Sequence, residues 1–263
     1  MKRRKFIKTT AAAGALGFSG LAWSGFETSK AVKQITILHT NDVHSHLDPF
    51  PIHHSKYPNL GGASRRFNYF NHVKNENEHT LILDAGDAFQ GTPYFNYYGG
   101  ELEYKVMSKL GYHASTIGNH EFDNGIDNIA AQLSHAQFDL LNANYDLSNT
   151  SLNGLTKAHQ IFEVNGISIG VFGLGIELEG LVSKDLYKET VYLNPIEIAK
   201  DQTRLLRETH GCDLVICLSH LGYRYRNEKV DDIKLAEQTH GIDLIIGGHT
   251  HTFLDQPTVH KNG

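Results

Sequence analysis

This sequence predicts an α/β layered domain, and three observations point there. Apolar runs of strand length alternate with stretches of helical character along the chain. The composition, 40% hydrophobic and 20% charged over 263 residues, is that of an ordinary soluble globular protein, with one domain as the expectation. Polar residues with ligand chemistry gather just past the ends of the apolar runs, where α/β sheets keep their sites.

Taken in order, Ile35-Thr36-Ile37-Leu38 is predicted as the first strand. Gly62 to about Asn75 follows as a helix with Phe67 and Phe70 turned inward. Thr80-Leu81-Ile82-Leu83 is the next strand, followed by a loop and a helix from about Glu101 to Leu110. The run Tyr112-His113-Ala114-Ser115-Thr116 leads as a strand to Gly118, with a helix near Gly125 to His135. Phe138 to Leu141 and Ile167 to Phe172 are further strands. The helix from Pro195 to Thr209 has proline at its start, where a missing N–H costs nothing, and Gly211 just past its end. A strand from Asp213 to Leu218, a helix near Asp231 to Thr239 and a strand from Asp243 to Ile246 complete the pattern. No internal repeat, low-complexity tract or Pro-rich linker divides the chain.

The N-terminus is set apart from this domain. Met1 to Lys8 is basic and Ala11 to Trp23 is apolar and uncharged, shorter than the roughly 20 residues of a membrane-spanning helix. With Ser29-Lys30-Ala31 as a small-x-small cleavage site, residues 1–31 read as an export signal and residues 32–263 as the mature domain. Arg3 and Arg4, followed by Phe6, Ile7 and Lys8, resemble a twin-arginine signal, so a periplasmic or extracellular location is expected, with no membrane span. The two cysteines, Cys212 and Cys217, lie in one predicted strand about 16 Å apart, beyond the roughly 7 Å that a disulfide spans. They are expected to be free and buried.

The whole chain carries 24 Lys+Arg and 29 Asp+Glu. Residues 1–31 hold six of the basic groups and one acid, which leaves 18 against 28 and a mature net charge near −10. With no Lys/Arg stripe, a nucleic-acid polymer is excluded as a partner. All 17 histidines lie after residue 31, too many for one site, so position must select among them.

Five strand ends make that selection. They are Asn41-Asp42-Val43-His44, Asp84-Ala85-Gly86-Asp87, Gly118-Asn119-His120-Glu121-Phe122-Asp123, Ser219-His220 and Gly247-Gly248-His249-Thr250-His251. In extended backbone the i, i+2 pairs Asp42/His44 and His249/His251 would each point to one side. Carboxylates, an amide and imidazoles without a thiolate suit hard or borderline divalent ions. There are too many for one ion. Two ions about 3.5–4 Å apart, sharing a carboxylate, would use them all and acidify a water between them enough for it to attack as hydroxide. Two dications, two carboxylates and one hydroxide leave about one positive charge, which attracts phosphate to an acidic protein. Glycines 86, 118, 247 and 248 would allow close approach of the backbone. His53, His54, His72, His79, His135 and His159 read as surface residues, and His39, Asp84 and Arg65 as packing or supporting groups. The pattern His120-Glu121 lacks a second His at 124, so it is no zincin helix, and no P-loop is present.

Asp42-x-His44, Gly86-Asp87, Gly118-Asn119-His120-Glu121 and Gly247-x-His249-x-His251 together resemble the signature of calcineurin-like metallophosphoesterases. The longer stretches Leu38 to His44, Gly86 to Pro93 and Gly118 to Gly125 are similar to the catalytic domain of bacterial 5'-nucleotidases, with the likeness running from about Gln34 to Leu254. The resemblance implies a four-layer αββα sandwich of two mixed sheets. It implies that Asp42, His44, Asp87 and His251 hold one ion and Asp87, Asn119, His220 and His249 the other, Asp87 bridging. Mn, Zn, Co and Fe all accept this ligand set.

His120 and Asp123 are then left as the catalytic pair, His120 stabilising the transition state and the leaving group while Asp123 orients it. Asp123 can also be read as a helix cap. The expected function is hydrolysis of small phosphomonoesters of the 5'-nucleotide kind. Cleavage of 2',3'-cyclic nucleotides or nucleotide sugars is an alternative, thiosulfohydrolase chemistry a more remote one, and a non-catalytic metal-binding relic another class. Because the sequence stops twelve residues after His251, the family's nucleoside-binding half is expected to be lacking unless a separate polypeptide supplies it. Contacts only to the phosphoryl group would then discriminate weakly among esters.

Overall fold

The computed structural model describes residues 32–261, so the expected export signal in residues 1–31 lies outside the described residues. The first sheet forms from β1 (Thr36–Thr40), β2 (Thr80–Asp84), β3 (Ala114–Thr116) and β4 (Asp139–Leu141), adjacent in that order and all parallel. Next comes β5 (Tyr145–Asp146), which pairs antiparallel with β8 (Val191–Tyr192) in a short ribbon. The second sheet uses β6 (His159–Val164), β7 (Ile167–Leu174), β9 (Leu214–Ser219) and β10 (Leu244–Gly247), in the order β10-β9-β7-β6. It is mixed, because β6 alone runs antiparallel.

Strand alternation explains the layers. In β2, Ile82 packs with Phe70, Tyr104 and Met107 of the helices α1 (Ala63–Glu76) and α3 (Glu101–Leu110), and with Phe95 of α2 (Pro93–Tyr98) between them in the chain. Its neighbours Leu81 and Leu83 point the other way, onto Ile169, Val171, Ile216 and Leu218 of the second sheet. A separate cluster, centred on Phe122, Ile126 and Ile129, seats α4 (Ile126–Gln132) beside α5 (Lys184–Tyr187) through Leu178 and Tyr187. In β9, Val215 and Cys217 meet Ile196 and Ala199 of α6 (Pro195–Arg204) and Leu235 of α7 (Asp232–Gln238). Each central strand is thus buried on both faces, which is why it reads as an unbroken apolar run. Every such Leu, Ile or Val contributes about 1.5–3 kcal/mol on full burial. The result is helices, sheet, sheet, helices, the four layers that the resemblance implies.

Several local expectations change. Phe67 is 43% exposed, and its neighbour Arg66, four residues before Phe70, acts on the Tyr112 hydroxyl and the Asp84 carboxyl instead. The loop after β2 contains α2, started by Pro93 behind a Thr92 cap whose hydroxyl accepts from the Tyr94 N–H. β6 escapes a search for apolar runs because it is an edge strand in which His159, Gln160 and Glu163 interrupt the pattern. The predicted helix to Thr209 is helical as far as Arg204 and closes in a wider turn over Leu205–Thr209, with Gly211 in the left-handed region at φ 67°. Cys212 and Cys217 are free and buried, as expected. Among the described residues no helix is long and apolar enough to cross a membrane.

What matters for function is the direction of the strands. β1, β2 and β3 are parallel, with Thr40 beside Asp84 and Asp84 beside Ser115, and β9 and β10 are parallel with Ser219 beside Gly247. The loops leaving these strands therefore emerge next to one another.

Candidate metal centre

The chain departs from extended geometry as soon as it leaves the strands. Asp42, His44, Asp87, His249 and His251 have φ of 49°, 48°, 57°, 72° and 48°, the left-handed region that costs a non-glycine residue about 1–2 kcal/mol. The i, i+2 pairs are thus not extended, which corrects the simple alternation argument. Backbone hydrogen bonds hold these turns in place: Asp42 N–H donates to the Gly86 carbonyl, His44 N–H to that of Asp87 and Ser45 N–H to that of Ala88. The His249 N–H in turn donates to Asp42 Oδ1 at 2.9 Å, joining the loop of one sheet to that of the other. Glycine supplies the room. A Cβ at Gly118 would collide with the Asp87 carboxylate, and one at Gly86 would lie 2.9 Å from His220 Nδ1.

The seven candidate ligands come together in two adjoining groups. Asp42, His44 and His251 form one, with His44 Nε2 and His251 Nε2 3.1 Å apart and His251 Nε2 3.3 Å from Asp42 Oδ1. Asp87, His220 and His249 form the other, with His220 Nε2 3.0 Å from Asp87 Oδ2 and Asn119 Oδ1 2.8 Å from His249 Nδ1. Asp87 lies between them, since the same Oδ2 is 3.9 Å from His44 Nε2. His120 stands at the rim, its ring centroid 5.1 Å from that of His44, its backbone N–H donating to Asp87 Oδ1 at 2.8 Å and its Nδ1 2.8 Å from Asp123 Oδ2. All nine site residues predicted from sequence are therefore in one place.

The donor chemistry fits divalent cations. His44 Nδ1 faces the Phe89 carbonyl at 3.2 Å and His220 Nδ1 the Ala85 carbonyl at 2.6 Å. A carbonyl only accepts, so each Nδ1 carries a proton, and in the neutral, ligating form of the ring the Nε2 lone pair faces inward. His220 Nε2 is buried without a hydrogen-bond partner, its 3.0 Å approach to Asp87 being off the line of a hydrogen bond. Lone pairs set against a carboxylate and against each other repel unless a cation lies among them.

Charge follows the same logic. Burial acts to raise the Asp87 carboxyl, but His220 and the His120 N–H overcome it and hold the group below the usual carboxylate range. Burial acts to lower His220, and the Asp87 charge instead lifts it to about 10. Without an ion, the His220 imidazolium beside the Asp87 carboxylate supplies the positive charge. Burial and the nearby His220 lower His249 to about 4, leaving a neutral imidazole, and burial also lowers His44. His120 is raised by its bond to Asp123.

Sequence reasoning missed three supporting carboxylates. Glu121 is buried and accepts from the N–H groups of Asp87, Ala88, Phe89 and Gly118, at 3.0, 2.7, 3.3 and 2.6 Å, which ties the β2 and β3 loops together. Burial and the Asp87 charge raise its pKa to about 7 against the His220 charge and the N–H groups of Gly118 and Asp87. Glu103 accepts from the Ser45 hydroxyl below the His44 turn, and Asp232 accepts from Ser219 Oγ at 2.5 Å beside His220. The available signal was a carboxylate between apolar neighbours, as at Leu102-Glu103-Tyr104; Glu121 carried none. Asp84 supports as expected, accepting from Thr40 Oγ1, Ser115 Oγ and Gly86 N–H. His39 and Arg65 are exposed.

Comparison with known proteins agrees with this geometry. The calcineurin-like phosphoesterase family profile matches residues 35–253. The chain is 33% identical over 260 residues to the trifunctional nucleotide phosphoesterase protein YfkN of Bacillus subtilis (strain 168), covering 87% of this chain and 16% of that protein. It is 33% identical over 229 residues to the snake venom 5'-nucleotidase of Crotalus adamanteus, covering 84% and 37%. Among solved structures, the 5'-nucleotidase precursor from Thermus thermophilus superposes with a TM-score of 0.76 at 38% identity, over 86% of this chain and 43% of that one. The chain thus spans less than half the length of each of these relatives. With the match running through every strand that carries a ligand-type residue, the chain belongs to the calcineurin-like phosphoesterases and is related to the N-terminal domains of 5'-nucleotidases.

Proposed function

We propose that the chain is a dinuclear metal-dependent phosphomonoester hydrolase of the 5'-nucleotidase type, exported from the cell, with a nucleotide as its natural substrate class. The observation that carries this reading is the placing of Asp87 Oδ2 between His220 of one ligand group and His44 of the other. Asp42, His44, Asp87 and His251 would hold one ion and Asp87, Asn119, His220 and His249 the second. When bound, such ions supply the positive charge that grips a phosphoryl group and acidify water for attack.

The chain's own residues do the rest. His120, whose protonated form Asp123 favours, would lend positive charge to the phosphoryl oxygens in the transition state and give its proton to the departing alkoxide, a poor leaving group otherwise. Glu121 fixes the loop amides, so that Asp87 and His120 meet a substrate already oriented.

The test combines metal analysis with an assay of AMP, glycerol phosphate and bis-p-nitrophenyl phosphate, with and without chelator. Both ions per active chain and chelator-sensitive release of phosphate from the monoesters are expected. A single ion in fully active protein defeats the dinuclear reading, and turnover of the diester alone transfers the chain to the phosphodiesterases.

A further inference from the structure

The two ligand groups rest on different supports, and one of those supports reaches back to α3. Glu103 is the third residue of that helix, behind Gly100 at its N-terminus. A glutamate in this place ordinarily turns back to the amide of the residue that starts the helix. Glu103 does not. Its Oε1 accepts from the Ser45 hydroxyl, its Oε2 has no hydrogen-bond partner, and the residue is 2% exposed. Leaving a buried acceptor unsatisfied costs stability, so the effect of Glu103 lies in its bond to Ser45.

Ser45 directly follows His44. It is fully buried in the left-handed region at φ 56°, and its N–H donates to the Ala88 carbonyl at 2.9 Å. The Thr92 hydroxyl, at the start of α2, donates to the Ser45 carbonyl at 2.9 Å. On the ring side, the Phe89 carbonyl lies 3.2 Å from His44 Nδ1. The Phe89 ring in turn rests on Gly100, where a Cβ would collide with it, and lies 4.7 Å from the ring of Tyr104. Gly91 passes so close that a Cβ there would lie 2.6 Å from the His44 carbonyl oxygen. The turn that aims the His44 imidazole is therefore gripped by the β2 loop, α2 and α3 together, and Glu103 supplies the grip from α3.

The Asp87, His220 and His249 group is held by other partners. The Ala85 carbonyl faces His220, Asn119 faces His249, the His120 N–H donates to Asp87, and Glu121 binds the amides of the loops beneath. We propose that Glu103 is a positioning residue for His44: through Ser45 it sets the affinity of the Asp42, His44 and His251 group for its ion and leaves that of the other group unchanged. The proposal rests on the dinuclear reading for its two ions and on the bonds at Ser45 for the turn.

The first measurement is calorimetric titration of Mn²⁺ into the chelated full chain. Wild type is expected to bind in two steps, and the step that weakens in His251→Ala marks the His44 group. Glu103→Ala should weaken that same step about 10–100-fold, the range for removing a partner that orients a ligand, and leave the other within about twofold. Glu103→Gln keeps an oxygen that accepts from Ser45 and should stay within about threefold of wild type at both steps. Equal weakening of both steps, no weakening of either, or a Gln variant as weak as the Ala variant overturns the proposal. Ser45→Ala cuts the same bond from its other end and carries the test should Glu103→Ala not fold. The second measurement, amide hydrogen exchange of chelated protein, judges the turn without an ion. In Glu103→Ala the Ser45 amide should exchange about tenfold faster or more, while the Gly118 amide, bound to Glu121, keeps its wild-type rate. An unchanged Ser45 rate, or equal acceleration of both amides, also overturns the proposal. A single Mn²⁺ step in wild type counts against the dinuclear reading, and the exchange rates then decide on Glu103 by themselves.

Discussion

The two ligand groups use the same residue types and left-handed turns, and they differ in the exposure of their outermost members. The His220 side chain is 0% exposed and Asp87 only 2%, whereas the His251 side chain is 56% exposed at the end of a loop. The buried group is locked by Ala85, Glu121 and the backbone N–H of His120, and its charges have no water to turn to. In the other group Asp42, 4% exposed, is held by the His249 N–H, and His251 alone stands largely in solvent. Buried ligands are thereby bound to stability, since an uncompensated charge there threatens the fold, while exposed ligands are free to be about chemistry alone.

The largest expected effect joins the two groups. Asp87→Asn should empty both metal sites and lower turnover by about 10³-fold or more, because several kcal/mol of metal-derived stabilisation disappear together. Metal analysis of the variant checks this, and retention of either ion breaks the reading of Asp87 as shared.

His220→Ala and His251→Ala separate the groups. In chelated protein, urea denaturation should show a cost of about 3–5 kcal/mol for His220→Ala, which strands the buried Asp87 charge, and about 0.5 kcal/mol or less for His251→Ala. Equal costs would erase the distinction.

Next, His120→Ala should reduce turnover about 10²-fold with metal content unchanged, the mark of a residue that serves the reaction and not the ions. Loss of metal from this variant would move His120 into the ligand set.

The smallest effect concerns Asp232, under the buried group. Burial, with Asp231 adding to it, raises its pKa from 3.8 to about 7. Between those values the native state holds a proton that the unfolded chain has released, so stability falls as pH rises through this window. Asp232→Asn, which keeps the shape but not the charge, should melt about 2–4 °C higher than wild type at pH 8 and show no gain at pH 3. A gain of the same size at both pH values would refute the charge explanation.

The sequence exposed most of this design because strands buried on both faces leave unbroken apolar runs, as at Leu81-Ile82-Leu83 and Val215-Ile216-Cys217, and the ligands follow directly after them. It hid whatever depends on the third dimension. The left-handed turns at Asp42, His44 and His249 are stabilised by carbonyls and a carboxylate from other loops, so local propensity could not foretell them. Glu121 looked like any acid in a polar stretch until the amides of two loops were seen around it. Phe67 is exposed where an inward face was expected, and its neighbour Arg66 acts on the buried Asp84 instead.

Glu121 bears also on how the site opens. The amides of Asp87, Ala88, Phe89 and Gly118 share one acceptor, so none is released for long without disturbing the others. In hydrogen-exchange terms, four amides from two distant stretches of sequence behave as one opening unit, and its free energy is that of expelling a single buried carboxylate. The loops that carry Asp87 and Asn119 are therefore not two flexible arms that meet on a ligand. They breathe together, and the floor of the site is either wholly present or wholly lost.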